Sequence, residues 1–100
     1  MLPFALLVRL DARPGKEDEV ERLLHDALPL VQLEPATAEW YALRLGPTQF
    51  AVFDAFPDEE ARQTHLTGDV VKVFTERADE LLTAPPHVER ADVVAHRIML

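Results

Sequence analysis

The stretch Glu39–Leu66, EWYALRLGPTQFAVFDAFPDEEARQTHL, contains the pattern that decides the fold. Within it, Glu39–Leu45 and Gln49–Phe56 alternate in side-chain character and are rich in aromatic and aliphatic residues, and Gly46-Pro47-Thr48 separates them. A period of two is typical of β-strands, and a short connection that contains glycine and proline is typical of a turn. The stretch therefore predicts a β-hairpin.

A helix is predicted directly after the hairpin. Asp58 can accept hydrogen bonds from the free N–H groups at a helix start, and Glu59 and Glu60 favour the positive end of the helix dipole. This helix carries His65, and an imidazole titrates close to neutral pH. His65 is therefore the first candidate for a functional residue.

The residues before the hairpin predict a strand and an amphipathic helix. Phe4–Asp11 alternates and is apolar on both faces, and Arg13-Pro14-Gly15 breaks it. The apolar residues that follow have the spacing of one helix face: Val20, Leu23, Leu24, Ala27, Leu28 and Val31. Pro29 lacks an N–H group, so we expect this helix to kink or end near Leu28, with a further turn up to Glu34.

The residues after the hairpin predict an interrupted helical region and a last strand. Thr67-Gly68-Asp69 marks the interruption and a new helix start, and Pro85-Pro86 ends the helical region. A second apolar stripe lies between them: Val70, Val71, Phe74, Ala78, Leu81 and Leu82. Val88 to about Ile98 is rich in β-branched residues and lacks glycine and proline, which predicts a fourth strand.

This order of elements, β-α-β-β-α-β, predicts one domain over residues 1–100 with the α+β ferredoxin-like fold, its helices on one face of the sheet. The strands nevertheless carry apolar residues on both faces, as Leu7 and Val8 or Val52 and Phe53 illustrate. Exposed apolar patches of that size are rare on soluble monomers. We therefore expect a homodimer in which a second copy covers the free face.

Composition excludes several classes of partner and compartment. The 100 residues carry a formal net charge of −8, which disfavours nucleic acid and anionic membrane surfaces. The apolar start lacks a basic region, and Arg9 and Asp11 interrupt it far short of the ~20 residues that a membrane span needs. The chain has no cysteine, which is compatible with a reducing compartment, so we expect a cytoplasmic protein.

Two short motifs suggest a relationship. Pro14-Gly15-Lys16 before the first helix, and Asp54-x-Phe56-x-Asp58 followed by Ala61 and His65, resemble signatures of the antibiotic biosynthesis monooxygenase (ABM) family in the dimeric α+β barrel superfamily. The resemblance spans nearly the whole chain. It implies a homodimer whose two sheets close into a barrel, with a pocket between the sheet and the helices of each subunit.

The resemblance also bears on cofactors. The family includes cofactor-free oxygenases of quinols and polyketide phenols as well as haem-degrading enzymes. Haem-degrading members use an asparagine, a tryptophan and a histidine at positions that correspond here to Val8, Phe56 and about Thr75. We therefore expect no haem and no other cofactor.

His65 and Asp54 are the predicted catalytic residues. His65 is suited to take a proton from a phenol or hydroquinone, and Asp54, on an otherwise apolar strand face, is suited to orient it. The alternatives are a structural hydrogen bond for His65 and, for Asp54, an ion pair with an arginine: Arg9, Arg44 or Arg62.

We expect the substrate pocket to be lined by Val8, Trp40, Tyr41, Phe56 and Phe74. Trp40 and Tyr41 point to opposite faces of their strand, so at most one of them lines a given pocket, and either could instead pack in the core or a dimer interface. His25, His87 and His96 are scattered, so the sequence predicts no metal site. No glycine-rich phosphate loop or G-x-S-x-G motif is present.

The sequence therefore favours a cofactor-independent monooxygenase that oxidises a small aromatic substrate, a quinol or a polyketide-like phenol, with O₂. Two alternatives of another class remain open at this point. One is a non-catalytic ligand-binding or stress-response dimer with the same fold. The other is an interaction module whose pocket has lost its function.

Overall fold

The hairpin predicted around residues 46–48 is present. In a computed structural model that describes residues 2–99, β2 (Glu39–Arg44) and β3 (Gln49–Phe56) pair antiparallel, and their register runs from the pair Glu39 and Ala55 to the pair Arg44 and Phe50. The turn closes with a hydrogen bond from the N–H of Leu45 to the carbonyl of Gln49 at 2.8 Å.

The other elements complete the predicted order. They are β1 (Phe4–Asp11), α1 (Glu17–Gln32), α2 (Glu59–Leu66), α3 (Asp69–Leu81) and β4 (His87–Asp92). The four strands form one antiparallel sheet in the order β2-β3-β1-β4, so the ferredoxin-like α+β fold predicted from the sequence is confirmed. None of the helices in residues 2–99 is long and apolar enough to cross a membrane.

The first helix is longer than the sequence suggested. α1 continues through Pro29 to Gln32, so the expected end near Leu28 is wrong. The buried side chains of Ala27 and Val31 lie on either side of the proline and hold the helix on the core. One missing N–H group therefore does not end it, and the N–H of Glu34 adds the predicted further turn by donating to the carbonyl of Val31 at 2.9 Å.

The last strand is shorter than predicted. β4 ends at Asp92, whereas the β-branched residues suggested a strand to about Ile98. The reason is the length of its only neighbour in the sheet, because β1 begins at Phe4, which pairs with Asp92. One further hydrogen bond, from the N–H of Val93 to the carbonyl of Pro3 at 2.9 Å, ends the ladder.

The two faces of the sheet differ. Residues such as Leu10 and Val52 face the helices and share the main core with Val20, Leu24, Phe74 and Leu81. The opposite face, called the outer face here, carries Leu7, Phe53, Tyr41 and Leu43. Tyr41 and Leu43 are 51% and 43% exposed, and the rings of Tyr41 and Phe53 lie 6.3 Å apart.

Candidate active site

A capped helix start positions His65. The carboxylate of Asp58 accepts a hydrogen bond from the N–H of Ala61 at 2.8 Å, as predicted for the residue before α2. His65 lies in the last turn of α2 and is 5% exposed. The chain then turns at Gly68, where a Cβ atom would come within 3.3 Å of the carbonyl oxygen of His65. The predicted break between the two helical segments therefore lies directly beside the histidine.

The imidazole of His65 meets the carboxylate of Asp54 on β3. His65 Nε2 lies 2.8 Å from Asp54 Oδ2, and Asp54 is completely buried. The contact is close, but its geometry lies outside the angular range of a good hydrogen bond. Asp54 Oδ1 has no hydrogen-bond partner within residues 2–99.

No arginine in the described chain pairs with Asp54, although such a pair was the alternative reading. Arg62 is buried, but its guanidinium donates to the carbonyls of Ala5 at 3.1 Å and Ala91 at 3.2 Å and pairs with Glu59. The other two candidates form ion pairs elsewhere: Arg9 with Glu89 and Arg44 with Glu21.

A second carboxylate, which the sequence analysis did not identify, holds the other side of the ring. His65 Nδ1 lies 2.5 Å from Glu34 Oε1, and the hydroxyl of Thr37 donates to the same oxygen at 3.2 Å. Phe56 packs behind the imidazole with the ring centroids 5.3 Å apart. Asp54, His65 and Glu34 are called the triad below.

The environment of the triad shifts the pKa values of Asp54 and His65. Burial raises the pKa of Asp54, because a carboxylate loses its hydration there, and His65 offsets only part of this effect. Burial alone would lower the pKa of His65, but the two carboxylates outweigh it, so the pKa of His65 is raised above its ordinary value of 6.5. The two carboxylates therefore favour the protonated imidazolium form of His65 over the neutral ring.

A cavity of about 400 Å³ lies between the sheet and α2 and α3, and two members of the triad, Asp54 and His65, form part of its wall. Asp54 and His65 are its inner polar groups. The remaining lining is mostly apolar: Leu6, Val8, Trp40, Val52, Leu66, Val70, Val71, Phe74, Thr75, Ala78, Asp79, Pro85, Pro86 and Val88. Glu34 faces the other way, into a separate depression of about 260 Å³ next to Thr37 and Gly68.

The structure brings three of the five expected lining residues to this cavity, namely Val8, Trp40 and Phe74. The expectation for the other two is not met. Tyr41 lies on the outer face because it alternates with Trp40 along β2, and it lines a groove beside α1 instead. Phe56 is fully buried behind His65.

The remaining histidines stay apart from the triad. His87 pairs with Glu89 at 3.2 Å, while His25 and His96 are exposed. Within residues 2–99 no group of three or more His, Asp or Glu side chains has the arrangement of a metal site. The triad itself is no exception, because its imidazole lies between the two carboxylates, which leaves no common point for a cation.

Comparison with known families matches residues 3–77 to the family described as "Antibiotic biosynthesis monooxygenase". The chain belongs to this family. The relationship predicted from the two motifs is thereby confirmed. The matched region contains the whole triad and Trp40, and it ends within α3, before β4.

Solved structures extend the comparison. The chain is 42% identical to NE2512 of Nitrosomonas europaea, a protein of unknown function, with a TM-score of 0.93 over 98% of this chain and 95% of that one. It shares its fold with Rv0793 of Mycobacterium tuberculosis at 18% identity, a TM-score of 0.81 and coverage of 94% and 97%. A proposed antibiotic biosynthesis monooxygenase of Caulobacter crescentus has the same fold at 20% identity, with a TM-score of 0.77 over 92% of this chain and 90% of that one. No curated protein matches the sequence.

Proposed function

We propose that this member of the ABM family is a cofactor-independent monooxygenase that oxidises a small aromatic hydroxy compound, a quinol or a polyketide-like phenol, with O₂. The observation that carries the proposal is a buried acid–base group in the wall of an otherwise apolar cavity. The cavity volume of about 400 Å³ lies within the usual range of small-molecule sites, roughly 300–1,000 Å³.

Asp54 is the proton acceptor in this proposal. Its Oδ1 atom has no partner within the described residues, it belongs to a side chain of the cavity wall, and its raised pKa makes it a stronger base than an exposed carboxylate. His65 has carboxylates at both ring nitrogens, so neither nitrogen is free to accept a proton. The roles that the sequence suggested are therefore exchanged, and His65 positions Asp54 and balances its charge.

The proposed reaction needs no further electron donor. Transfer of the hydroxyl proton to Asp54 leaves an electron-rich ring that reduces O₂, and a peroxide forms on a ring carbon. Loss of the hydrogen from that ring carbon and cleavage of the O–O bond leave one oxygen atom on the substrate as a carbonyl. The other oxygen atom departs as water, whose two hydrogens are the one from the ring carbon and the proton held by Asp54. The substrate supplies all the electrons, and the apolar cavity keeps bulk water from the intermediate.

We also propose that the protein is a homodimer that associates through its outer face. The support is the apolar surface of the outer face within residues 2–99, where Tyr41 and Leu43 are exposed and Leu7 and Phe53 are half-buried. Burial of apolar surface at roughly 25 cal/mol per Å² is the main source of stability in such interfaces. The dimer would also fit the assembly that the family resemblance implies.

A second candidate is a non-catalytic ligand-binding dimer with the same cavity. Both ring nitrogens of His65 are engaged by carboxylates, and this favours the second candidate. In that case the triad serves to stabilise the fold and has no catalytic role. The 42% identical relative, a protein of unknown function, favours neither candidate.

Oxygen consumption separates the two candidates. Purified protein would be mixed with a panel of hydroquinones and anthrones, and the O₂ uptake compared with that of Asp54→Asn and of His96→Gln, an exposed control. We expect Asp54→Asn to lower the rate by roughly 10²-fold or more, the usual size of a general-base contribution, and His96→Gln to leave it unchanged. Uptake at the rate of buffer alone for every compound would favour the ligand-binding dimer.

A further inference from the structure

We propose that Trp40 and Asp54 bind one hydroxyl group of the aromatic ligand between them. The indole Nε1–H of Trp40 would donate to the hydroxyl oxygen, while Asp54 would accept the hydroxyl hydrogen. This inference rests on the proposed function for its role in catalysis, but the binding that it describes does not require turnover.

The sheet register places the two residues side by side. Trp40 on β2 and Asp54 on β3 are directly paired, and both side chains line the cavity between the sheet and the helices. The Cβ atoms of such cross-strand neighbours are about 4.5–5.5 Å apart, which is within reach of one small ligand group.

Both side chains have unused hydrogen-bonding capacity. Trp40 Nε1 is buried without a hydrogen-bond partner in residues 2–99, and the same holds for Asp54 Oδ1. Buried polar groups in proteins are nearly always paired, so two unpaired groups of opposite type at one cavity wall indicate a ligand that satisfies both. Indole can only donate and an ionised carboxylate can only accept.

This combination selects among ligand groups. A hydroxyl donates and accepts through one oxygen atom, so it satisfies both residues. A ketone or an ether leaves Asp54 unpaired, and an ammonium group leaves Trp40 unpaired. Carboxylates and phosphates are disfavoured as well, because the cavity lining contains no lysine or arginine but does contain Asp54 and Asp79. The chemistry therefore points to a neutral hydroxy compound, and together with the proposed function to a phenol or quinol.

Trp40 would then act on the reacting oxygen. When the hydroxyl proton moves to Asp54, the ligand oxygen becomes negative while the indole N–H still points at it. A preorganised donor at the position where negative charge develops stabilises the transition state. Trp40 would accordingly be an oxyanion donor as well as a binding residue.

Equilibrium binding without O₂ tests the inference. Calorimetry under anaerobic conditions would compare 2-naphthol with its methyl ether and with 2-naphthoate, which share one ring system. We expect the naphthol to bind roughly tenfold or more tightly than the ether, because the ether leaves a charged acceptor unpaired, and the naphthoate to bind weakest.

Substitutions of Trp40 and Asp54 test whether these two residues cause the preference for naphthol over its methyl ether. Trp40→Phe should weaken naphthol binding by roughly tenfold, and Asp54→Leu should abolish the preference for naphthol over the ether. Tyr41→Phe removes a polar group from the neighbouring residue on the outer face and should change neither value. Circular dichroism checks that each variant is folded.

Equal affinity of the parent protein for the naphthol and the ether would overturn the inference, as would a folded Trp40→Phe variant that binds naphthol like the parent, or the absence of any binding. The same measurements distinguish a failure of this inference from a failure of the proposed oxygenase activity. A protein that prefers naphthol but consumes no O₂ would overturn the activity and support the inference. A protein that consumes O₂ without this preference would overturn the inference alone.

Discussion

The two faces of the sheet are made from the same strands but differ in the kind of side chains that they present. The face toward the helices holds a buried charged triad beside a cavity, whereas the outer face presents exposed apolar side chains. On β2, Trp40 lines the cavity and its neighbour Tyr41 lies on the outer face. On β3, Phe53 and Asp54 are divided in the same way. Adjacent residues therefore contribute to different surfaces, one to the cavity and the other to the outer face.

This division means that the two faces can be disturbed independently. The outer face depends on apolar contact alone, so a charge placed there should act on assembly. The triad depends on mutual compensation of buried charges, so the removal of one member should act on the stability of the subunit. Substitutions on each face and the pH dependence of stability test this separation.

Phe53→Asp should have the largest effect. The substitution places a charge among Leu7, Tyr41 and Leu43 and, if a second copy covers that face, costs roughly 3 kcal/mol or more per subunit. We expect the dimer to dissociate or the chain to unfold, measured by sedimentation at micromolar concentration and by circular dichroism.

Leu43→Asp should act in the same direction, and Glu76→Gln, a polar change at an exposed residue of α3, serves as the control. A parent protein that sediments as a stable monomer of its 11.3 kDa mass would contradict the dimer and with it the barrel.

His65→Ala should rank second. Loss of the imidazole leaves the fully buried Asp54 carboxylate without an opposite charge, and breaking a buried pair in this way costs about 3–5 kcal/mol of stability. For a chain of this size we expect the melting temperature to fall by roughly 10 °C or more, while the dimer remains intact.

The double variant Asp54→Asn/His65→Ala distinguishes this cause from simple loss of packing. With the carboxylate neutralised, part of the lost stability should return, since no buried charge remains unpaired at that site. A double variant that is less stable than His65→Ala would show that the imidazole matters through its volume and not through its charge.

Much of the difference between the two faces was predictable from the sequence, because it depends on local patterns. The alternation in Glu39–Leu45 and Gln49–Phe56 defines the hairpin, and Asp58 marks the start of α2. A period of two also places Asp54 on the apolar helix-facing side of its strand, where a carboxylate requires a partner. The pairing of Asp54 with His65 follows from these positions once the helix packs on the sheet.

The parts that the sequence did not predict depend on contacts between distant residues. Glu34 and His65 are 31 positions apart, and Glu34 follows a helix that the local effect of Pro29 seemed to shorten. The end of β4 depends on the length of β1, a property of another segment. The role of His65 as a base was predicted from its ordinary pKa, which Asp54 and, to a smaller extent, Glu34 raise.

Glu34→Gln should have a smaller effect than the loss of His65. Glutamine keeps an oxygen near Nδ1 but removes one of the two charges that hold the imidazolium, and Glu34 is partly exposed, so water replaces part of the interaction. We expect a loss of about 1 kcal/mol in the free energy of unfolding by urea denaturation. Glu39→Gln, a carboxylate that is outside the triad, is the matched control, and equal losses in both variants would argue against a specific role for Glu34.

The smallest effect concerns pH, and it distinguishes the charged face from the apolar one. The pKa of His65 is raised in the folded protein, so folding takes up a proton, and the stabilisation is complete below the ordinary value of 6.5. It should be lost as the pH rises through the raised value. The raised pKa of Asp54 has the same sign in a window that begins above its ordinary 3.8.

We therefore expect the melting temperature of the parent protein to fall between about pH 6 and pH 9 more than that of His65→Gln, which cannot titrate at this position. His96→Gln, which changes an exposed histidine, should follow the parent. Association through the outer face should depend less on pH over this range, because Leu7, Leu43 and Phe53 carry no titratable group. If the melting temperatures of the parent and His65→Gln change with pH in the same way, His65 does not bind its proton more tightly in the folded state. The burial of Asp54 would then need another explanation.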